Sequence, residues 1–359
     1  MNETKLRVGI IGAGMYALRF HSPQLRDTGR VEIVAICRRS QKQLAIAQET
    51  LGVTEGYTDW REMIERADLD AVLVSTPHYY HAEPALGALE RGLHVLVDKP
   101  MALNSQDAWA MVEAAKRSER VLMVTYETRA QGSWQSLKRQ LQDGIIGQVR
   151  QINLSVTTYR RWFWQADIPP DVMEVARSIL DVPDEFYEGW HDWHRDPDRM
   201  GGGTFADIGV YWVDLALWLT GAPAVELVAF TEKAGLPVEC FVNTQARLAN
   251  DVLFSLNFAD GAPQPVLGGQ RQLMIVGEEG TIMDDAEGIL WLHQNGQQAQ
   301  IESDQPNTTI AEAFVSATLD GTDNLSPAYQ GANVVDFLEA IYRSAEESRI
   351  VQIKPGLQE

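Results

Sequence analysis

The stretch Arg7-Val8-Gly9-Ile10-Ile11-Gly12-Ala13-Gly14-Met15-Tyr16-Ala17, RVGIIGAGMYA, decides how the chain is read. Its short apolar run fits a strand buried on both faces, and the run ends in the pattern GxGxxA at the start of an expected helix. Gly12 permits a tight turn, Gly14 lets a pyrophosphate approach the backbone, and Ala17 allows close packing of helix on strand. The backbone from Gly12 through Ala13, Gly14, Met15 and Tyr16 is therefore expected to hold a dinucleotide at a helix N-terminus.

Working outward, VEIVAI (31–36), AVLVSTP (71–77), HVLVDKP (94–100) and RVLMVTY (120–126) follow, separated by amphipathic stretches. Strands alternating with helices imply right-handed crossovers and a parallel, doubly wound sheet. We expect an α/β chain with a Rossmann domain over residues 1–126. From about residue 148 short strands succeed one another with few helices between, as in VRQINLSVTTY, DVLFSLNFA and RQLMIVG. That pattern predicts a second, α+β domain over 127–359 with an open, mainly antiparallel sheet. Helices are expected at 204–219 and 327–347, the latter followed by the strand IVQI.

The second strand ends in Cys37-Arg38-Arg39-Ser40. An NAD site usually places a carboxylate there for the ribose 2′-hydroxyl. Two guanidiniums and a hydroxyl suit a 2′-phosphate instead, so NADP(H) is expected over NAD(H). Strand ends on the carboxyl side of such a sheet gather ligands, which adds Ser75, Thr76 and Pro77, and Asp98, Lys99 and Pro100, to the expected cofactor site.

Composition narrows the partners. At 359 residues the chain suits two domains, and its formal charge of -20 argues against nucleic acid or anionic membrane as a partner. The strand that begins by residue 6 and the lack of a long apolar run lead us to expect a cytoplasmic protein. Cys37 and Cys240 stand far apart and form no CxxC pattern, which speaks against a disulfide scaffold or a Cys-rich metal site.

TPHYYHAEPALGALERGLHVLVDKPMAL (76–103) and DPDRMGGGTFADIGVYWVDLALWLTG (196–221) resemble the signature regions of the Gfo/Idh/MocA oxidoreductases, the family of glucose-fructose oxidoreductase and inositol dehydrogenase. With the glycine turn, DGIIGQVRQI (143–152) and AIYRSAEESRIVQI (340–353), the resemblance covers nearly the whole chain. It implies that Lys99 is the catalytic lysine and that Pro100 is the proline often cis in these folds. It also implies that His81 stands near the cofactor or substrate, although a packing or capping role fits that histidine as well. Asp207, Tyr211 and Asp214 have the spacing of one helix face and are expected to line a polar cleft, with glycines 201–203 allowing approach to a ligand. Most members of the family carry His where this chain has Tyr211. The Tyr-bearing members favour NADP, so the two departures agree. On this reading Tyr211 is the acid/base and Asp207 orients substrate hydroxyls or Lys99.

Residues 159–194 carry four of the ten tryptophans, Trp162, Trp164, Trp190 and Trp193. Together with Arg160 they are expected to cover a sugar or cyclitol, or else to pack on the sheet or a second subunit. Glu127 stands near the place of a family asparagine, in a stretch expected to face substrate or to serve as a hinge. His191 and His194 lack an evident third ligand, so no metal is expected. The chemistry implied is hydride transfer between nicotinamide and a sugar, cyclitol or related diol or carbonyl. A non-catalytic dinucleotide-binding regulator and a cofactor-dependent glycosidase of the same fold stay open. A homodimer or homotetramer through the second-domain sheet is expected, because an apolar sheet face needs cover.

Overall fold

The computed structural model describes residues 5–160, 174, 177–178, 181–187, 190–261, 270–354 and 356. The chain forms two compact units, Met1–Glu127 with Ile168–Gly201 and Thr308–Ala332, and Thr128–Asp167 with Gly202–Asn307 and Asn333–Glu359.

In the first unit, β1 (Leu6–Ile11), β2 (Val31–Cys37), β3 (Glu55–Tyr57), β4 (Ala71–Val74), β5 (His94–Val97) and β6 (Leu122–Val124) make one sheet in the order β3-β2-β1-β4-β5-β6. Every pair is parallel. Val72, Leu73, Val74, Val95 and Val97 are wholly buried, as strands covered on both faces should be. The order reverses between β1 and β4, so the carboxyl ends of these strands border the crevice where such sheets bind ligands. β3 has no counterpart in the sequence reading. It is a three-residue edge strand, EGY, with no hydrophobic pattern to betray it.

The second unit carries a nine-stranded sheet ordered β14-β13-β12-β11-β7-β10-β9-β8-β15. Its strands are β7 (Val149–Thr158), β8 (Ala224–Glu232), β9 (Phe241–Leu248), β10 (Leu253–Asp260), β11 (Gln270–Gly277), β12 (Thr281–Asp284), β13 (Leu290–Gln294), β14 (Gln297–Gln300) and β15 (Val351–Gln352). The sheet is antiparallel except at its middle, where β7 runs parallel to β10. Alternation of apolar residues reports which face is buried and is blind to strand direction, so this pair was not legible.

One face of the sheet is core, with Ile152, Leu154, Val156, Phe254, Leu256 and Phe258 buried. On β9 and β10 the other face presents Asn243, Gln245, Arg247, Ser255 and Asn257, while on β11, β12 and β13 Met283, 40% exposed, pairs with Met274 and Trp291.

Candidate active site

The glycine turn after β1 is built by exclusion. Gly12 has φ +90, and a Cβ there would stand 2.5 Å from the Ser75 carbonyl oxygen, so no other residue fits. The amides of Gly12 and Ala13 donate to the Cys37 carbonyl at 3.0 and 3.2 Å, and Gly14 donates to the Gly12 carbonyl at 2.7 Å. Those three amides are therefore spent inside the turn. An anion would meet the first turn of the helix that begins at Met15 and Tyr16. Ala13 and the Met15 side chain are buried, so they take part only through backbone atoms.

Arg38 lies over this turn. Its Nη1 donates to the Ala13 carbonyl at 3.0 Å, its Nε donates to Gln43 Oε1 at 2.9 Å, and a Cβ on Gly14 would approach Nη1 to 3.1 Å. Burial lowers its pKa to about 10, and no carboxylate among the described residues pairs with it. Arg39 is exposed, and Ser40 caps α1 (Gln41–Leu51) by accepting from the Gln43 amide.

At the ends of β4, β5 and β6 a network converges on Asp98. Ser75 Oγ and Thr125 Oγ1 donate to its two oxygens at 2.7 Å each, and His21 Nε2 sits 3.2 Å from both. His21 closes a π-helical turn, Ala17–His21, that grows directly from the glycine turn. Burial pushes the Asp98 carboxyl up, but the His21 charge and the hydrogen bonds outweigh it and hold the group well below the usual carboxylate range. Burial would lower His21, and the adjoining Asp98 reverses that, so its pKa is raised. Glu127 is raised by burial, partly offset by His21. Lys99, 7% exposed, stands next in the chain and enters a cis peptide with Pro100. Asp98 thus acts as a strut that joins the ends of β4, β5 and β6 to the helical turn after β1.

His81 has a comparable part. It is 1% exposed, with Nδ1 2.8 Å from the Pro100 carbonyl and Nε2 2.7 Å from the Thr76 carbonyl. Both ring nitrogens face backbone carbonyls, so the ring is wedged between the loops after β4 and β5 and donates to one of them. Its pKa is lowered by burial.

In the second unit, Asp207 lies within a second π-helical turn, Phe205–Gly209, and Tyr211 begins the next turn in α2 (Val210–Thr220). Both are half-buried. Tyr211 and Asp214 lie three apart within α2, and Asp207 precedes them in the π turn. Asp214 is corrected outright. It is wholly buried, and Arg129 donates to both its oxygens, from Nε at 2.9 Å and Nη2 at 2.5 Å, so it has nothing to offer a substrate. The expectation for the glycines before this helix also changes. A Cβ on Gly202, which has φ +135, would run into the Tyr342 hydroxyl, and one on Gly203 into the Glu239 carbonyl. They admit the protein's own chain.

Two buried acids hold that turn in place. Glu239 Oε1 accepts from the Gly203 amide and the Tyr342 hydroxyl, each at 2.9 Å, and Asp260 accepts from Thr204 Oγ1 at 2.8 Å, Thr158 Oγ1 at 3.0 Å and the Arg160 amide. Burial raises both carboxyls, against the pull of these hydrogen bonds. Arg160 therefore contributes its backbone to the scaffold. Trp162 and Trp164, and the side chains of Trp190 and His191, lie outside the described residues. Trp193 packs edge-on to His78 with ring centroids 4.9 Å apart, and no cluster of three metal-ligating side chains occurs among the described residues. No described helix is long and apolar enough to cross a membrane.

Sequence reasoning missed His21, Thr125, Gln43, Glu239 and Asp260. The strand-end position of Thr125 and the place of His21 just beyond the glycine helix were the available signals.

A parallel sheet with a glycine turn beside its reversal point and a lysine at a neighbouring strand end defines a dinucleotide-binding oxidoreductase unit. Residues 6–126 match the model described as oxidoreductase family, NAD-binding Rossmann fold, and residues 134–283 match the GFO/IDH/MocA C-terminal domain. The chain belongs to the Gfo/Idh/MocA oxidoreductase family. Among its relatives is D-glucoside 3-dehydrogenase of Escherichia coli (strain K12), 27% identical over 98% of this chain and 99% of that one. Myo-inositol 2-dehydrogenase of Thermotoga maritima is 24% identical over 78% and 75% of the two chains. Among solved structures, an oxidoreductase domain protein from Kribbella flavida superimposes with a TM-score of 0.81 at 23% identity, covering 98% of this chain and 100% of that one. Levoglucosan dehydrogenase, solved with NADH and levoglucosan, gives a TM-score of 0.79 at 21% identity over 98% and 100%.

Proposed function

We propose that this oxidoreductase is NADP-dependent and moves a hydride between nicotinamide and a sugar, cyclitol or related diol or carbonyl, with Tyr211 as acid/base and Lys99 polarising the reacting oxygen. The observation that carries the cofactor half is Arg38. A largely buried guanidinium beside Gly14, with no carboxylate partner among the described residues, is a costly arrangement unless an anion completes it. The 2′-phosphate of NADP has the required charge and oxygen geometry. The relatives named for a D-glucoside and for myo-inositol support the substrate class.

The cofactor would supply or accept the hydride, and the chain's residues handle position and protons. The first amides after the glycine turn would hold the pyrophosphate, and Arg38 the 2′-phosphate. The loop that bears Lys99 is tied to its neighbours through Asp98 and His81, and Lys99 is 7% exposed. In oxidation Tyr211, as its phenolate, would take the hydroxyl proton while the same carbon gives up its hydride to the bound cofactor, and in reduction the phenol would return the proton. Asp207 orients substrate hydroxyls. A homodimer or homotetramer through the second sheet remains part of this reading, to be checked by light scattering.

The test is fluorescence titration with NADPH and NADH. Wild-type protein should prefer NADPH, and Arg38→Asp should lower NADPH affinity about ten- to a hundredfold while leaving NADH equal or better. An unchanged preference in the variant would refute the assignment.

A further inference from the structure

The aromatic insertion between the second unit's first two strands is expected to cover a substrate or to pack on the sheet or a second subunit, and its later part, through Gly201, belongs to the dinucleotide-binding unit. Its attachments there are specific. Phe186, 2% exposed, lays its ring against the Arg38 guanidinium, 4.7 Å from centroid to Cζ. The adjoining Glu185 carbonyl accepts from Gln43 Nε2 at 2.7 Å, and the other end of the same Gln43 amide accepts from Arg38 Nε. Further along, the Met200 carbonyl lies 3.0 Å from His78 Nδ1, and Trp193 packs on the same histidine. Since β1 lies between β2 and β4 in the sheet, these attachments fall on either side of the glycine turn.

Arg38 is thereby held from three directions. Gln43 takes Nε, the Ala13 carbonyl takes Nη1, and Phe186 covers one π face. None of these contacts uses Nη2. A guanidinium on a flexible stem ordinarily loses rotamer entropy when it grips a phosphate, and holding it beforehand removes that cost. We infer that Phe186 is a cofactor-specificity residue, whose ring fixes the plane of the Arg38 guanidinium so that its remaining edge reads the 2′-phosphate of a bound dinucleotide. This rests on the reading of Arg38 given above. It assigns the insertion a part in choosing between NADPH and NADH, and it makes Gln43 the link that couples the two.

A ring that merely packs would affect both cofactors alike, so the ratio of the two affinities is the readout. Dissociation constants for NADPH and NADH are measured on the full chain as wild type, Phe186→Leu, Gln43→Leu, Arg38→Gln and the double variant Phe186→Leu/Arg38→Gln. Phe186→Leu should weaken NADPH about three- to tenfold and NADH hardly at all. Gln43→Leu should show the same selectivity, which guards against a folding defect at residue 186. In the Arg38→Gln background the Phe186→Leu penalty should vanish. Equal losses for both cofactors, no loss, or a penalty that persists without Arg38 would each overturn the inference. A wild type without NADPH preference, or one whose preference survives Arg38→Gln, is a different failure and sinks the cofactor reading itself.

Discussion

The chain contains two glycine turns that each lead into a π-helical segment, one before Ala17–His21 and one before Phe205–Gly209. They look alike in sequence and differ in what surrounds them. Around Gly202 and Gly203 the neighbours are Tyr342, Glu239 and Asp260, which answer the turn's donors and one another. Around Gly14 stands Arg38, a cation with no anion among the described residues. The second turn is closed on itself and serves as a mount for the side chains that follow. On the proposed reading, a bound dinucleotide completes the first. Glycines therefore mark where the backbone must come close to something, and only the partner's chemistry says whether that something is the protein itself.

The comparison can be broken most forcefully at Asp260. Asp260→Ala strands two buried hydroxyls and an amide, and should cost about 2–5 kcal/mol of stability in urea unfolding, with NADPH affinity little changed. A drop in cofactor affinity as deep as the drop in stability would show that the second turn is no self-contained mount. Next comes what that mount carries. Tyr211→Phe should lower turnover at least about a hundredfold while cofactor titration stays normal. Near wild-type turnover would move proton transfer to another group.

The smallest effect concerns the strut at the first turn. His21 is raised in the folded state, so the stability it contributes is present below its unfolded pKa and fades as pH rises through the raised value. Asp98 is depressed, so its share is present above the ordinary carboxylate pKa and fades as pH falls through its lowered one. The pair is therefore strongest between those limits. His21→Asn should flatten the alkaline decline of melting temperature and also soften the acid limb, because the His21 charge leads the causes that hold Asp98 low. An alkaline decline as steep in the variant as in the wild type would mean that another group governs it.

The Rossmann sheet was legible because its strands are apolar throughout and the glycine pattern fixed the context, so β1, β2, β4, β5 and β6 could be placed from residues alone. β3 was too short to carry a pattern. At the site, Arg38 could be singled out because charge at the end of β2 has a defined chemical meaning. Asp98 and His81 were placed near the cofactor without their roles, since their partners, Ser75, Thr125 and Pro100, meet them only when strand ends align. Asp214 misled because periodicity tells which residues share a face and not what faces them. Its partner, Arg129, lies 85 positions away.

The parallel pairing of β7 with β10 has a consequence for how the protein is made. β7 leaves the ribosome as the first strand of its sheet, but both of its neighbours, β10 and β11, begin about a hundred residues later. During synthesis it waits with two bare edges, while the strands of the Rossmann sheet find partners almost as they emerge. Pairing across such a separation closes slowly, and an unpaired strand in the interval can be captured by another nascent chain. The second sheet is thus where expression of this protein would be most sensitive to temperature and to chaperone supply.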